Sequence, residues 1–196
     1  MPTQQERRER TEAALVAAAA ELVVESGVRA LTLAKVGERA GYSRGIVTHQ
    51  FGSKQGLVDA LSRAIQGGFV PGLEEMPPGL ERLLALVDGY LHALTGLGTA
   101  NRAFLLLWAE AATASELAAT FRERDRGFRA DLREDVEAGV TAGEVRADVD
   151  PDAVAVAVVG QLRGIGMQRL LDPEGVDTER LRAQVPAQWR RALQPG

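Results

Sequence analysis

Apolar side chains recur at helical spacing along almost the whole of this chain. In residues 10–26, Leu15, Ala18, Ala19 and Leu22 fall at i, i+3, i+4 and i+7, the stripe of an amphipathic helix, and Gly27 supplies its stop. Thr32 is an N-cap for a short helix that puts Leu33, Val36 and Ala40 on one face before Gly41 breaks it. Ser43 caps a third helix over 44–50, with Val47 and Phe51 four apart as its buried pair. Gly52 interrupts again, and Ser53 opens a fourth helix whose apolar face is Leu57, Leu61 and Ile65, running to Gly67 and Gly68.

Residues 71–79, with three prolines and two glycines, read as a linker, which sets a boundary near 70 and two domains, 1–70 and 71–196. Beyond it, Leu80, Leu83, Leu84, Val87, Leu91 and Leu94 trace one helical stripe, and Phe104, Leu107, Trp108 and Ala111 trace another. Residues 115–142 keep the same period through Leu117, Phe121, Phe128, Leu132 and Val136 amid dense charge, giving a long helix with one wet face. Val154, Val156 and Val158 alternate as a strand would. The run continues through Leu162, Ile165 and Leu170, however, far beyond the usual strand of about 5–6 residues, so a helix rich in small residues is predicted. It starts at Asp150, Pro151 and Asp152 and ends at Asp172 and Pro173. A last helix from about 178 carries Leu181, Val185, Trp189 and Leu193 on one side, with Pro186 expected to kink or break it. The expected class is all-α: about nine helices and no sheet, an N-terminal three-helix unit followed by a helical bundle.

Composition narrows the chemistry. The 196 residues are 45% hydrophobic and 26% charged, ordinary for a folded domain. Without a cysteine there is no disulfide, thiolate zinc site or cysteine nucleophile, and with two histidines, His49 and His92, there is no HExxH. No metal, cofactor or catalytic residue is expected. Neither GxGxxG nor GxxxxGK[ST] occurs, and no strand is predicted to precede such a loop. Gly41, Ser43 and Gly45 do match GxSxG, but that elbow needs a strand before the serine where this chain reads helix. No apolar run reaches the roughly 18 residues of a membrane span. Arg7, Arg8 and Arg10 precede an alanine-rich run, but Glu6, Glu9 and Glu12 interleave with them, unlike a secretory signal, so a cytoplasmic protein is expected. Net charge is −4, yet 1–70 hold nine basic against seven acidic residues and 71–196 fourteen against twenty. A polyanion would therefore dock at the N-terminal part.

Residues 32–51 thus read as helix, tight glycine turn, helix, a helix-turn-helix whose second helix fits the DNA major groove. Leu31, Thr32, Ala40 and Gly41, then Ser43, Gly45, Val47, Phe51, Ser53 and Lys54, resemble the DNA-binding domain of tetracycline-repressor (TetR) family regulators over about 8–60. The resemblance implies base contacts from Arg44, Gly45, Ile46, Thr48 and His49, with Arg44 reading guanine and Ile46 meeting a thymine methyl. It implies phosphate contacts from Thr32, Ser43, Gln50 and Lys54. The family usually has tyrosine where this chain has Thr48, and histidine or tyrosine where it has Gln50.

Residues 138–173 are similar, less specifically, to the family's C-terminal domains. By that resemblance Tyr90, His92, Phe104, Trp108, Phe121, Phe128, Gln161 and Met167 are expected to line the pocket of a small, largely apolar effector. Val158, Leu162, Ile165 and Trp189 are expected in a homodimer interface of the last two helices, which Gly160, Gly164 and Gly166 let approach closely. The expected function is a ligand-responsive repressor that binds a palindromic double-stranded operator as a homodimer. The alternative is an all-α small-molecule-binding or enzymatic bundle without a DNA role.

Overall fold

The computed structural model describes residues 3–66 and 72–196. Among them the chain forms nine α-helices and no strand: α1 (Gln4–Ser26), α2 (Leu33–Ala40), α3 (Arg44–Phe51), α4 (Lys54–Gln66), α5 (Leu80–Thr95), α6 (Thr99–Glu110), α7 (Ser115–Thr141), α8 (Pro151–Leu171) and α9 (Thr178–Leu193). Single 3-10 turns lie at Val28–Ala30 and Leu73–Glu75. The boundary expected at residue 70, the glycines at 67 and 68, Pro71 and the side chain of Ile65 lie outside the described residues.

Two compact units emerge, and they do not follow a single cut: one is Met1–Gly67 with Gly98–Phe121, the other Gly68–Leu97 with Arg122–Gly196. In the first unit α1 packs on α2, α4 and α6, and α2 on α3. Leu15, Ala19, Val23, Leu31, Val36, Val47, Leu57, Leu61, Phe104 and Leu107 are buried in it. Helix α1 starts six residues before the apolar stripe suggests. Thr3 accepts the Glu6 amide and Glu6 returns a carboxylate to the Thr3 N–H, a capping box that extends the helix into polar sequence. Arg39 ties α2 to α1, donating to Glu25 at 2.8 Å and reaching Glu21 at 3.4 Å. At the other end of α1, Gln50 donates to Glu12 at 2.7 Å. Thr120 donates to Asp59 at 2.7 Å and Gln55 donates to both, joining α4 to the start of α7.

In the second unit α5 packs against α8 and α9 around Leu83, Val87, Leu91, Leu132, Val136, Val158, Leu162, Val185 and Leu193. Asp150 caps α8 through the Asp152 and Ala153 amides, so the valine alternation belongs to a helix. Arg82 of α5 donates to Asp135, which is 1% exposed and also accepts the Gly79 amide, and to Glu134. Helix α9 continues as one helix through Pro186, so of the kink or break expected there the break does not occur. Proline removes one helical hydrogen bond. Here Arg182 on Asp88, Arg190 on Glu81 and the buried Val185 and Leu193 hold the helix to α5 on both sides of it.

Candidate nucleic-acid interface

The turn between α2 and α3 is built from glycines and caps. Gly41 ends α2 at φ 75°, the left-handed conformation that glycine adopts without strain, and the Tyr42 amide returns to the Gly37 carbonyl at 2.7 Å. Gly37 is buried against this turn, where a Cβ would lie 2.7 Å from the Tyr42 carbonyl oxygen and 3.1 Å from Val47 Cγ2. Ser43 caps α3, its hydroxyl accepting the Ile46 amide at 3.4 Å. Val47 is the buried residue of α3 and fixes which way the helix faces.

The opposite face is exposed, and it carries Arg44, Gly45, Ile46, Thr48 and His49, all five residues expected to contact bases. Ile46 is 43% exposed, one of three large apolar side chains left open to solvent among the described residues. Thr32, exposed, caps α2 by accepting the Lys35 amide at 3.2 Å, and Ser53 caps α4 by accepting the Gly56 amide at 3.1 Å. Lys54, half-buried, is the first residue of α4. The starts of α2, α3 and α4 each bring backbone amides, the positive end of the helix dipole and a polar cap, as an approaching phosphate requires. Gln50, expected at a phosphate, is half-buried and donates one amide hydrogen to Glu12, which braces α3 against α1. Sequence inspection missed it because the two residues are 38 apart.

Residues 79–194 match the family described as BetI-type transcriptional repressor, C-terminal, and residues 15–61 match bacterial regulatory proteins of the tetR family. The chain belongs to the TetR family. It is 24% identical over 174 residues to the HTH-type transcriptional regulator BetI of Vibrio campbellii, covering 86% of this chain and 84% of that one. In fold it resembles SmeT in its triclosan complex, with a TM-score of 0.78, 20% identity and coverage of 95% and 92%. It also resembles a transcriptional regulator from Saccharomonospora viridis in complex with choline, with a TM-score of 0.76, 19% identity and coverage of 96% and 100%. As a TetR-family member the chain is a DNA-binding transcriptional regulator, and α2 and α3 are its helix-turn-helix.

The residues expected at the effector site divide between the units. Phe104, Trp108 and Phe121 lie in the first, where the Phe104 and Phe121 rings stand 5.6 Å apart. Tyr90, Phe128, Gln161 and Met167 lie in the second, with Tyr90 buried and the others half-buried. His92 is also in the second unit but exposed on α5, so it does not line an interior. Gln161 accepts the Trp189 indole N–H at 2.7 Å, which ties α8 to α9. Sequence reasoning missed Arg163, which is 3% exposed beside Tyr90. An arginine between Leu162 and Gly164 in a helix otherwise poor in charge was the available signal.

Of the four residues expected at a dimer interface, Val158 and Leu162 are fully buried within the chain and Ile165 is 8% exposed. Their apolar surface lies largely in the subunit's own core. Trp189 is half-buried. The outward face of α8 instead carries Ala153, Val156, Ala157, Gly160 and Leu171. Among the described residues no group of acidic or histidine side chains is placed to hold a metal ion, and no single helix is long and apolar enough to cross a membrane.

Proposed function

We propose that the protein is a cytoplasmic, non-enzymatic repressor that binds a palindromic operator as a homodimer and releases it when a small-molecule effector occupies the C-terminal domain, about 71–196. The observation that carries the reading is α3: Val47 is buried behind it, while Arg44, Ile46, Thr48 and His49 stand exposed in front. That face enters the major groove. Arg44 bonds guanine O6 and N7 together, worth about 1–3 kcal/mol of discrimination, and Ile46 meets a thymine methyl. Thr32, Ser43 and Lys54 fix the register on phosphates, which positions the protein without reading sequence.

A second copy places a second α3 one helical turn along the duplex, and the exposed face of α8 with Trp189 of α9 provides the self-complementary surface. The effector acts by binding more tightly to the dimer whose two α3 helices are wrongly spaced, shifting the population away from the DNA-competent state. Ligand complexes of TetR-fold neighbours support an effector here.

Fluorescence anisotropy against the DNA upstream of its own gene, with a scrambled control at two salt concentrations, tests the reading. Specific binding that weakens steeply with salt is expected. Arg44→Ala loses preference for the native sequence more than general affinity, whereas Lys54→Ala weakens both sequences alike and flattens the salt slope by about one. No preference among genome-wide fragments would overturn the repressor assignment.

A further inference from the structure

Helix α1 runs on past the part of it that is packed. Residues 3–10 are exposed, and full burial on this helix begins at Leu15. At 3.6 residues per turn, the buried line of Leu15, Ala18 and Leu22 continues toward the helix start through Thr11 to Arg7, with Arg8 and Arg10 to either side of it. The three arginines span an arc of about 160°, while Glu6, Glu9 and Glu12 span a separate arc of about 120°. Charges that alternate in sequence are therefore segregated in space.

The carboxylates are engaged within the chain. Glu6 accepts the Thr3 backbone N–H at 2.7 Å, Glu9 the Gln5 side-chain amide at 3.0 Å and Glu12 the Gln50 side-chain amide at 2.7 Å. Among the described residues none of the three guanidiniums pairs with a carboxylate, in contrast to Arg39, Arg82, Arg182 and Arg190. The Glu12–Gln50 bond also fixes where they stand. Gln50 lies in the last turn of α3, next to His49, and Arg8 is one turn of α1 before Glu12 on the same side, about 6 Å further along the axis. Since Glu21 and Glu25 meet Arg39 of α2, the start of α1 leads away from α2 and past the end of α3. Lys54, three residues after Phe51, opens α4 at that same end.

We propose that the first two turns of α1 are a second DNA-binding element, in which Arg7, Arg8 and Arg10 bind phosphates of the operator duplex beside the groove that α3 enters. The proposal rests on the α3 reading above and extends it. This face adjoins α3 through the Glu12–Gln50 bond, and it carries the sign a polyanion requires although the chain as a whole stands at −4. A guanidinium without a carboxylate partner keeps its planar fork of donors for phosphate. Contacts of this kind add affinity and register without reading sequence. Two exposed turns gain little from their own propensity, and the capping box of Thr3 and Glu6 holds them helical, which presents the arginines preformed.

The test is a set of anisotropy titrations of the full chain between about 50 and 200 mM salt, on the duplex from upstream of its own gene and on a scrambled duplex of equal length. Arg7→Gln, Arg8→Gln and Arg10→Gln combined should leave the melting temperature unchanged, because glutamine matches arginine in helix propensity and the positions are exposed. The combined variant should lower the salt slope by about two to three and weaken binding to both duplexes by about tenfold or more at the lower salt, with the preference between them retained. Arg8→Gln alone should lower the slope by about one, and Arg8→Lys, which keeps the charge, should restore it. Arg126→Gln, exposed on α7 in the second unit, removes the same charge and should keep the native slope. The proposal is overturned if the combined variant binds with the native slope, if it loses preference instead of general affinity, or if Arg126→Gln acts as Arg8→Gln does. Failure of the α3 reading looks different: the native chain then binds both duplexes alike, while the slopes still decide about α1.

Discussion

Two glycines eight residues apart in the helix-turn-helix have opposite roles, and alanine separates them. At Gly37 a Cβ would stand 2.7 Å from the Tyr42 carbonyl oxygen, which is backbone, and 3.1 Å from Val47 Cγ2. The first distance is closer than real Cβ atoms come. Because that turn is pinned by the 2.7 Å bond from the Tyr42 amide to the Gly37 carbonyl, α2 and α3 must separate. Overpacking of this kind costs about 1–3 kcal/mol, and the better helix propensity of alanine returns about 0.8–1 kcal/mol. Because the clash is with backbone the upper end of that cost applies, so the net loss for Gly37→Ala is about 2 kcal/mol, a fall of roughly 4–8 °C in melting temperature for a chain of this size. DNA affinity falls as well, because α3 is displaced.

At Gly45 the nearest atom to an added Cβ is Ser43 Oγ at 3.7 Å, ordinary contact. Gly45→Ala therefore keeps or gains stability, by up to about 1 kcal/mol. Its methyl group stands on the exposed face proposed to meet the bases, so operator affinity should drop by about tenfold, equivalent to about 1.4 kcal/mol. Melts followed by circular dichroism, with anisotropy titrations on the same preparations, read both effects. A Gly37→Ala protein as stable as the native one would refute the packing argument. A Gly45→Ala protein with native operator affinity would remove α3's first turn from the DNA interface.

Four further outcomes follow from the same geometry. Ser43→Ala removes the α3 cap and costs about 1 kcal/mol, whereas Ser43→Asp keeps the cap and the melting temperature but should lose operator affinity by placing a negative charge where a phosphate is proposed to come. Arg82→Met leaves the buried Asp135 carboxylate without its cation and costs about 3–5 kcal/mol. Burial already holds Asp135 above its ordinary 3.8, so this deficit grows as pH rises from there through the raised folded value and shrinks in acid, as melts at pH 3 and 7 would read. Glu25 behaves in the opposite sense. The Arg39 hydrogen bond holds its carboxyl below the ordinary 4.5, so its contribution is fully present above that pH and is lost as pH falls through the lowered value, where Glu25→Gln and native melts should converge. Val156→Glu, on the exposed face of α8, leaves the subunit folded and abolishes the dimer in sedimentation velocity.

The helix-turn-helix was legible because everything that makes it is local. Thr32, Ser43 and Ser53 cap the helices that follow them, Gly41 and Gly52 stop the helices before them, and Val47 sets the facing of α3, all within about twenty residues. The same local reading placed α2, α3 and α9 almost to the residue. It was blind where the deciding partner is remote. Gln50 is turned inward by Glu12, Arg163 and Tyr90 meet across 73 positions, and Phe104 and Phe121 pack in the first unit although the linker pattern assigns them to the second domain. Pro186 is tolerated because ion pairs to α5 hold α9 on both sides, and nothing within α9 itself announces that.

Helix α8 shows why an apolar pattern locates an interface only once the inward face is known. Its apolar residues run all the way round. Ala155, Val158, Leu162 and Ile165 are consumed by the subunit core, while Ala153, Val156, Ala157, Gly160 and Leu171 remain outside. Periodicity alone selects the larger residues, and those are the ones the core has taken. Val156 at 57% and Leu171 at 80% exposure, with open space around Gly160 and Gly164, describe a surface that a single chain leaves uncovered. An apolar helix face against water is costly, and a helix apolar on every side is stable where both sides are covered. In the homodimer proposed above, a second copy would supply the matching face, because a two-fold axis brings the same small residues against themselves and lets the backbones approach. At Gly160 and Gly164, two of the glycines expected to let helices approach in the dimer, an added Cβ would meet nothing within 4 Å.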